Sequence, residues 1–434
     1  MKKTIIKPSI LSGFMELLPK EQRIFNDIVN KITKVYEDNG CLPIDTPIIE
    51  KSEVLLAKTA GETEKQVYSF KKGSKNLSLR FDLTVPFARY TAQYFNELTF
   101  PFKRYQIGKV YRGERNQKGR YREFYQFDVD IIGKDKLSIS NDALVISLAS
   151  KAFKSIGLTN YKFQISNRKI LSGLLEYLKV DSAANEVMIL IDKFDKIGEE
   201  IFKEELDKIL DKEKSDLISK VINISGSKEE VIKSLELLNI KNDKFNLGIK
   251  ELKNISKTLE LLGVQENEFL VNLKIIRGLD YYTGTVFETL LVNNEGYGSI
   301  CSGGRYDNLA ENYTNNILPG VGISIGLTRL FFVLKEIGFV DNYQLPSKIE
   351  YLIIPVSEIN SYIYEVYNKL ISLGKTVEIY FEEDKLKKKM NYANKFSIPN
   401  TIIIGEEEEI NRTINLKDMN TGLQRILKLD DMNI

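Results

Sequence analysis

The chain contains no histidine and no tryptophan among its 434 residues, and it has only two cysteines, Cys41 and Cys301. The absence of histidine excludes a serine–histidine–acid triad, a cysteine–histidine pair and any metal site with histidine ligands. The two cysteines lie far apart and outside any CxxC pattern, which predicts neither a zinc site nor a disulfide. We therefore expect no resident metal, and we expect both cysteines to be small buried apolar side chains.

Long apolar runs are also missing from the sequence. No stretch approaches the ~18–20 apolar residues that a membrane span requires, and the basic segment Met1–Pro8 is not followed by the apolar core of a signal peptide. We therefore expect a cytoplasmic protein that does not enter a membrane. A length of 434 residues predicts two or three domains. The formal net charge of +2 neither requires nor excludes a nucleic-acid partner, because a nearly neutral protein can carry a local basic patch.

A helix that ends at Gly40 is predicted by apolar residues at helical spacing, namely Phe25, Ile28, Ile32 and Val35. The segment that follows, CLPIDTPIIE at residues 41–50, contains two prolines. Because proline cannot donate a hydrogen bond to a sheet, we expect this segment to be an edge or interface strand.

Two later segments, KRYQIGKVYRG and REFYQFDVDIIG, each alternate in the period of a β-strand and are separated by a polar loop. This pattern predicts an antiparallel hairpin with a long cationic connection. The second strand would carry apolar residues on one face and polar residues on the other: Phe127, Val129 and Ile131 against Gln126, Asp128 and Asp130. A strand face with an amide and two carboxylates suits the floor of a binding site.

The rest of the chain divides into three regions of different pattern. Residues 170–265 are rich in Lys, Glu, Ile and Leu at helical spacing, which predicts a helical insertion. Strand patterns and glycines return at 270–330, and a polar, proline-containing stretch at 341–348 predicts a linker. Beyond it, strands alternate with helices, which predicts a small α/β domain with a mainly parallel sheet.

Several arginines are candidates for phosphate binding. The loop of the predicted hairpin contains five cationic residues within eleven positions: Arg112, Arg115, Lys118, Arg120 and Arg122. Arg277 opens RGLDYYTG, and Arg329 closes GVGISIGLTR. The arginine-rich loop alone fits a solvated basic turn about equally well, and GVGISIG alone favours a tightly packed strand or helix. Together they fit in-line attack at phosphorus, where positioning and cationic stabilisation dominate and no general base is needed.

These segments resemble the signature motifs of class II aminoacyl-tRNA synthetases, and the resemblance spans nearly the whole chain. CLPIDTPIIE resembles motif 1, YRGERNQKGRYREFYQFDVDIIG resembles motif 2, and GVGISIGLTRL resembles motif 3. RGLDYYTGTVFE and SGGRYDNL are more specific, because they resemble the two elements peculiar to the histidyl-tRNA synthetase family.

The resemblance implies an α+β fold in which an antiparallel sheet is flanked by helices. It implies a catalytic domain at residues 1–340, including the helical insertion at 170–265, and an anticodon-binding α/β domain at residues 349–434. The family's activity is a histidine–tRNA ligase reaction: histidine and ATP, with Mg²⁺, give histidyl-adenylate and pyrophosphate, and the histidine then passes to the 3′ end of tRNA(His). The motif 1 segment further implies a homodimer.

Site residues are carried over from the same resemblance. Arg112, Arg277 and Arg329 are the expected catalytic residues. The expected ATP site consists of Arg112, Glu114, Arg120, Phe124 and Arg329, with Phe124 stacked on adenine. The expected histidine site consists of Asp82, Thr84, Gln126, Asp130, Arg277, Tyr281, Tyr282 and Tyr306. Within it, Asp82, Thr84 and Gln126 would take the α-ammonium group, and Asp130, Tyr282 and Tyr306 would surround the imidazole.

Two other functions remain open from the sequence. One is a synthetase-like regulatory subunit of ATP phosphoribosyltransferase, which would bind ligands without catalysis. Such subunits usually lack a C-terminal domain of the anticodon-binding type, whereas this chain continues for about 85 residues beyond the predicted linker. The other is a class II synthetase for a different amino acid, against which RGLDYY and GGRYDNL argue.

Overall fold

The computed structural model describes residues 6–57, 62–114, 118–276 and 281–429 of the chain. The chain divides into two compact units, Met1–Asp341 and Asn342–Ile434. Within the described residues, no helix combines the length and the apolar character that crossing a membrane requires.

The larger unit contains eleven strands and twelve helices among its described residues. The strands are β1 (Leu42–Pro43), β2 (Ile49–Lys51), β3 (Ser69–Lys72), β4 (Lys75–Leu79), β5 (Phe102–Tyr111), β6 (Glu123–Ile132), β7 (Tyr161–Asn167), β8 (Phe269–Val271), β9 (Thr285–Leu291), β10 (Cys301–Tyr306) and β11 (Gly320–Gly326). The helices are α1 (Pro19–Asp38), α2 (Ser52–Leu55), α3 (Glu62–Gln66), α4 (Thr84–Gln93), α5 (Ser140–Ser155), α6 (Arg168–Tyr177), α7 (Ala184–Asp192), α8 (Phe194–Ile209), α9 (Lys212–Ile222), α10 (Lys228–Leu237), α11 (Asp243–Leu261) and α12 (Leu327–Glu336).

Eight of these strands form one sheet in the order β1-β5-β6-β11-β10-β9-β7-β8. The six strands from β5 to β7 pair antiparallel, and only the outermost pairs, β1 with β5 and β7 with β8, are parallel. The remaining strands form a small sheet in the order β2-β4-β3. The predicted antiparallel core and the β5–β6 hairpin are therefore confirmed.

Helix α1 covers the apolar face of the large sheet. Its buried residues include Phe25, Ile28 and Ile32 as predicted, but the fourth position of the stripe is Tyr36 and not Val35. The Tyr36 ring lies edge-on to Phe127 of β6, with 5.2 Å between the ring centroids. Val35 is only half-buried because it lies one residue, about 100° of helical rotation, away from that stripe.

The edge strand predicted at residues 41–50 lies at a sheet edge, but it is not one continuous strand. It breaks into two short strands that belong to different sheets, β1 at the edge of the large sheet and β2 in the small one. The intervening residues carry the second proline, Pro47, whose missing N–H prevents a continuous ladder.

Between β7 and β8 the described regular structure consists of α6 to α11 and short 3₁₀ turns, which agrees with the predicted helical character of residues 170–265. Ser227 caps α10 and Glu230 returns the hydrogen bond, forming a complete capping box. Each helix buries one apolar stripe, so the helices depend on mutual packing and not on intrinsic propensity alone.

The smaller unit contains its own five-stranded sheet. Its elements are β12 (Tyr351–Pro355), α13 (Ser361–Ser372), β13 (Val377–Ile379), α14 (Leu386–Lys395), β14 (Asn400–Ile404), α15 (Glu406–Asn411), β15 (Thr413–Asp418) and β16 (Gln424–Lys428). The order is β13-β12-β14-β15-β16, in which the first three strands are parallel and the last two antiparallel. The prediction of a mainly parallel sheet is therefore correct for the first three strands only. It did not include β15 and β16, because these segments lack the uninterrupted run of apolar residues that marks a buried strand.

Candidate active site

A polar site is built on one face of the large sheet. Gln126, Asp128 and Asp130 alternate along β6 and are all buried. The strand register brings residues of the two neighbouring strands to the same face, namely Arg104 and Gln106 of β5 and Gly322 and Ser324 of β11. A side chain at Gly322 would place its Cβ 1.8 Å from Oδ1 of Asp130, so this position requires glycine. The predicted division of β6 into an apolar and a polar face is confirmed.

Arginines gather at one end of this face. Arg112 follows β5, and its Nε donates to the carbonyl of Phe81 at 3.0 Å. Arg329 lies in the first turn of α12, where its Nη1 donates to the carbonyl of Ser299 at 2.9 Å. Arg120 lies on the returning arm of the hairpin loop. The hairpin and the turn from β11 into α12 thus bring Arg112 and Arg120 of one loop to the same end of the face as the distant Arg329.

The arginines at this end act on one another electrostatically. Burial lowers the pKa of Arg329, and the charges of Arg120 and Arg112 lower it further. Glu114 is the nearest counter-charge: its Oε2 lies 3.3 Å from Nη1 of Arg120 and its Oε1 lies 3.9 Å from Nη1 of Arg112. Glu114 and Glu288 both act on Arg329, and two carboxylates against three guanidinium groups leave a net positive cluster, which favours an anion.

Phe124 provides an aromatic surface beside the arginines. The guanidinium carbon of Arg112 lies 5.2 Å from the centroid of the Phe124 ring, within cation–π distance. The backbone N–H of Tyr125 donates to the Thr328 hydroxyl at 2.8 Å. This bond ties β6 to α12 and therefore fixes Phe124 relative to Arg329.

Asp82 begins a second, buried part of the site. Its Oδ1 accepts the backbone N–H of Val85 at 3.0 Å, and its Oδ2 accepts the hydroxyl of Tyr281 at 3.3 Å. Burial raises the pKa of Asp82 to about 6, although the Val85 hydrogen bond and the Arg112 charge oppose that shift. Thr84, the first residue of α4, lies beside it and hydrogen-bonds to Tyr281. A cationic partner would stabilise the ionised form of this buried carboxyl.

Three tyrosines enclose the far end of the site. The rings of Tyr281 and Tyr282 meet edge-to-face at 5.0 Å, and Tyr281 and Tyr306 do so at 6.0 Å. The hydroxyl of Tyr306 donates to Oδ1 of Asp130 at 2.7 Å. Burial raises the pKa of Tyr306 well above its usual value, so the hydroxyl keeps its proton. Tyr282 and Tyr306 line a small cleft against β6, together with Thr84, Asp130 and Ser302.

Two charged residues of this cleft were not among the predicted site residues. Arg104 is completely buried and forms an ion pair with Asp130, with 2.6 Å between Nη2 and Oδ2. Asp128 is 2% exposed and lines the cleft beside Asp130. Asp128 was noted on the polar strand face, but the family resemblance assigned it no role. The sequence feature that could have identified Arg104 as a site residue is its position in the alternating pattern of the first hairpin strand.

Some predicted residues lie outside the described part of the chain. Arg277, assigned to both catalysis and histidine binding, belongs to the undescribed segment 277–280, and Arg115 belongs to the undescribed segment 115–117. All the other predicted site residues are described. Cys41 and Cys301 are buried with free thiols. Among the described residues, no group of three or more metal-ligating side chains comes together.

Comparisons with known proteins agree with this geometry. The histidyl-tRNA synthetase family model matches residues 13–330, and that of the anticodon binding domain matches residues 350–433. The chain is 63% identical to the histidine–tRNA ligase of Clostridium acetobutylicum over 98% of its own length and 99% of the relative's. It is 51% identical to the histidine–tRNA ligase of Clostridium tetani, over 99% of its own length and 98% of the relative's.

Solved structures give the same result for the fold. The crystal structure of histidyl-tRNA synthetase from Nostoc sp. PCC 7120 superposes with a TM-score of 0.86 at 36% identity, covering 98% of both chains. A structure from Bacillus halodurans C, described as an ATP phosphoribosyltransferase regulatory subunit/histidyl-tRNA synthetase, shares the fold with a TM-score of 0.77 at 21% identity, over 92% of this chain and 100% of that one. The near-complete match to histidine–tRNA ligases favours the enzyme over the regulatory subunit. The chain therefore belongs to the histidyl-tRNA synthetase family of class II aminoacyl-tRNA synthetases.

Proposed function

We propose that this chain is a histidine–tRNA ligase that makes histidyl-adenylate from histidine and ATP and then esterifies tRNA(His). One observation supports the proposal most strongly. A cluster of arginines and a buried cleft of carboxylates and tyrosines lie on the same face of one sheet. The first suits a polyphosphate and the second suits a small polar amino acid, so the two substrates of an adenylation reaction have adjoining sites.

The arginine cluster is the proposed ATP site. Arg112 would contact the α-phosphate and Arg329 the γ-phosphate, with Glu114 and Arg120 beside them and adenine stacked on Phe124. In the reaction a carboxylate oxygen of histidine forms a bond to the α-phosphorus, the bond from that phosphorus to the bridging oxygen breaks, and pyrophosphate leaves. The protein's contribution is to hold the substrates in line and to stabilise negative charge, which fixed guanidinium groups do without reorganising. Arg277 is assigned to bridge the carboxylate and the α-phosphate.

Asp82, Thr84 and Gln126 are the proposed partners of the α-ammonium group. Oε1 of Gln126 is buried and accepts no hydrogen bond from the described residues, while its Nε2 donates to Ser324 at 3.0 Å. An ammonium group would supply the missing donor to Gln126 and a counter-charge to Asp82. Because an opposite charge favours the ionised carboxyl, we expect the pKa of Asp82 to fall from about 6 when histidine binds.

The tyrosine-lined cleft is the proposed imidazole pocket, with Asp130, Tyr281, Tyr282 and Tyr306 around the ring. Neutral imidazole offers one N–H donor and one nitrogen acceptor. A site that pairs both rejects an amino acid without them, because its own buried polar groups would stay unpaired. Such sites reach selectivities on the order of 10⁴ without editing.

The other substrates and partners follow from the family. Mg²⁺ would enter with ATP, since it is usually held by substrate phosphates together with one or two carboxylates. In the second step the terminal hydroxyl of tRNA(His) attacks the carbonyl of the adenylate and AMP leaves. We assign catalysis to residues 1–340 and anticodon binding to residues 349–434. We further propose that the enzyme is a cytoplasmic homodimer with the 41–50 segment at its interface.

The test is ATP–pyrophosphate exchange with each of the twenty amino acids in turn, at saturating Mg²⁺. Exchange that depends on histidine alone is the expected result. Exchange with another amino acid would mean a synthetase of different specificity. No exchange from a folded preparation would favour the regulatory-subunit function instead.

A further inference from the structure

The first turn of helix α6 contacts the loop that carries Tyr282. Arg168, the first residue of α6, donates from Nη1 to the carbonyl of Tyr282 at 2.8 Å, and its backbone N–H donates to the carbonyl of Gly284 at 2.9 Å. Helix α6 is also the first of the helices α6 to α11 that lie between β7 and β8. The start of the helical insertion therefore holds the main chain of a residue that lines the proposed imidazole pocket.

The opposite side of this loop is held by strand β10. The backbone N–H of Thr283 donates to the carbonyl of Arg305 at 2.8 Å, and the Thr283 hydroxyl donates to Oδ2 of Asp307 at 2.6 Å. The chain at 281–284 is thus fixed by β10 on one side and by Arg168 on the other. Because the β10 contacts do not involve Arg168, removal of the Arg168 side chain should shift this part of the loop without unfolding it.

Arg168 also lies beside the chain that precedes residue 277. It lines a small cleft together with Leu273 and Ile276. These two residues precede the segment 277–280, and the loop held by Arg168 follows it. The first turn of α6 is therefore placed to set the position of the chain on both sides of that segment.

Helix α11 in turn holds both sequence neighbours of Arg168. Nδ2 of Asn167 donates to Oε2 of Glu251 in α11 at 2.8 Å, and Nζ of Lys169 forms an ion pair with Oε1 of the same carboxylate. The side chains of Lys169 and Glu251 are 18% and 13% exposed, so salt screens this pair only weakly. Oδ1 of Asn167 also accepts the backbone N–H of Lys169 at 3.0 Å and so caps α6. Glu251 therefore fixes the turn from which Arg168 reaches the loop.

The backbones of α6 and α11 also approach each other closely. A side chain at Gly173 of α6 would place its Cβ 2.3 Å from the backbone nitrogen of Phe245, and one at Gly248 of α11 would place its Cβ 2.8 Å from that of Ile170. Glycine permits this approach because it has no side chain. Since no side chain lies between the helices at these positions to absorb a shift, a displacement of α11 is passed on to the first turn of α6.

We propose that Arg168 is a positioning residue for histidine binding, through which Glu251 and the helical insertion set the position of Tyr282. This role rests on the proposed histidine–tRNA ligase function and adds a link from the insertion to the amino-acid pocket. The effect of Arg168 passes through the main chain of Tyr282 and not through a contact with a substrate. Its loss should therefore weaken histidine binding and leave ATP binding unchanged.

The test is ATP–pyrophosphate exchange by wild type, R168A and R168K, with histidine and ATP varied in turn. We expect R168A to raise the KM for histidine about tenfold, the lower end of the cost of a hydrogen bond from a charged donor, because the bond is made to the protein and not to the substrate. The KM for ATP should stay within about twofold of wild type, because the loop and not the arginine cluster is displaced. In R168K the lysine still offers a charged donor to the Tyr282 carbonyl, so the KM for histidine should return to within about threefold of wild type.

The KM for histidine separates positioning from instability, because a loss of folded enzyme would lower the apparent kcat and leave both KM values unchanged. E251Q tests the link from its outer end, where we expect the KM for histidine to rise about three- to tenfold. E176Q is the matched control: Glu176 of α6 also pairs with α11, with 2.7 Å between its Oε1 and Nζ of Lys244, but it lies at the other end of α6 from Arg168. That exposed pair should change the KM for histidine by less than about twofold. Equal increases in E251Q and E176Q would overturn the link, because they would reflect a general loosening of the two helices.

Hydrogen exchange of the wild-type chain, with and without saturating histidine, gives a reading that needs no variant and decides the matter if R168A fails to fold. Because coupling between two sites is reciprocal, histidine should slow amide exchange in the first turn of α6 as well as at 281–284. Protection confined to 281–284, or an unchanged KM for histidine in folded R168A, would overturn the inference. Absence of histidine-dependent pyrophosphate exchange in wild type would instead overturn the proposed function.

Discussion

The proposed active-site face has a proposed phosphate end at the arginine cluster and a proposed imidazole end at Arg104 and Asp130, and these two ends differ in the solvent exposure of their charged side chains. At the phosphate end, the cations are partly exposed: the side chain of Arg120 is 41% exposed and that of Arg112 is 25% exposed. At the imidazole end, Arg104, Asp128 and Asp130 are no more than 2% exposed. The first end keeps its excess charge in contact with water, and the second pairs its charges in the protein interior.

This difference in exposure suits two different tasks, the binding of ATP and the discrimination between amino acids. Excess positive charge near solvent suits a large anion such as ATP, which arrives hydrated and leaves as pyrophosphate and AMP. A dry cleft with fixed donors and acceptors suits discrimination, because an unmatched ligand leaves buried polar groups unpaired. Substitutions at the phosphate end should therefore affect turnover, and those at the imidazole end should affect the choice and binding of the amino acid.

The largest expected effect is that of Arg329→Ala. Removing a fixed cation from the phosphate end should lower kcat/KM for ATP in pyrophosphate exchange by about 10²–10³-fold, the usual cost of losing one group that stabilises transition-state charge. The control is Lys335→Ala, which removes a positive charge from the same helix at a surface pair with Glu21. The control should stay within about twofold of wild type. Equal losses in both variants would show that helix α12, and not the guanidinium, is responsible.

A smaller effect, confined to histidine, is expected for Asp82→Asn. The amide can still accept the backbone N–H of Val85 in the first turn of α4, but it cannot pair with an α-ammonium charge. We expect the KM for histidine to rise about 10- to 100-fold, since hydrogen bonds to charged groups contribute about 1.5–3 kcal/mol, with little change in the KM for ATP. Steady-state exchange kinetics with each substrate varied in turn measures both. A rise in the KM for ATP alone would contradict the assignment.

The buried carboxylates should also make stability depend on pH. A folded-state pKa raised to about 7 means that the folded chain holds the Asp128 proton more tightly than the unfolded chain does, so stability falls as pH rises from about 4 to about 7. D128N lacks this group. Its free energy of unfolding should exceed that of wild type by on the order of 4 kcal/mol at pH 8 and by less than half of that at pH 5.

Urea unfolding of both proteins at pH 5 and pH 8, without histidine, measures this difference. Because the chain contains no histidine, no imidazole of its own titrates in this range. An excess of the same size at both pH values would show that the Asp128 carboxyl is not destabilised by burial.

The smallest expected effect is that of Phe124→Leu. Leucine keeps an apolar contact but removes the ring face beside Arg112. Aromatic stacking contributes about 0.5–1.5 kcal/mol beyond burial, so the KM for ATP should rise about two- to tenfold while the KM for histidine stays unchanged. An unchanged KM for ATP would mean that adenine does not stack on this ring.

Much of this site could be predicted from sequence because its residues lie on regular strands. The alternation in REFYQFDVDIIG placed Gln126, Asp128 and Asp130 on one face, and the structure confirms that face. The period of a strand is two, so local pattern alone decides which side chains point the same way. The arginines at 112 and 329 needed the family motifs, since 217 positions separate them and no local pattern relates such distant residues.

What the sequence did not provide is the pairing of charges across strands. Arg104 and Asp130 are cross-strand neighbours, but nothing in either strand alone indicates that Arg104 also lies within 3.9 Å of Asp128. Such contacts depend on register and burial, which are properties of the folded sheet. The position of the Arg104 charge between the two carboxylates was therefore visible only in the structure.

The most direct test of the account is aminoacylation of a tRNA(His) transcript by the purified chain, with each of the twenty amino acids supplied radiolabelled in turn. The account predicts that histidine alone becomes attached, that attachment requires ATP, and that Lys335→Ala charges at a rate close to wild type whereas Arg329→Ala charges far more slowly. Attachment of another amino acid, or none from a folded preparation, would contradict it.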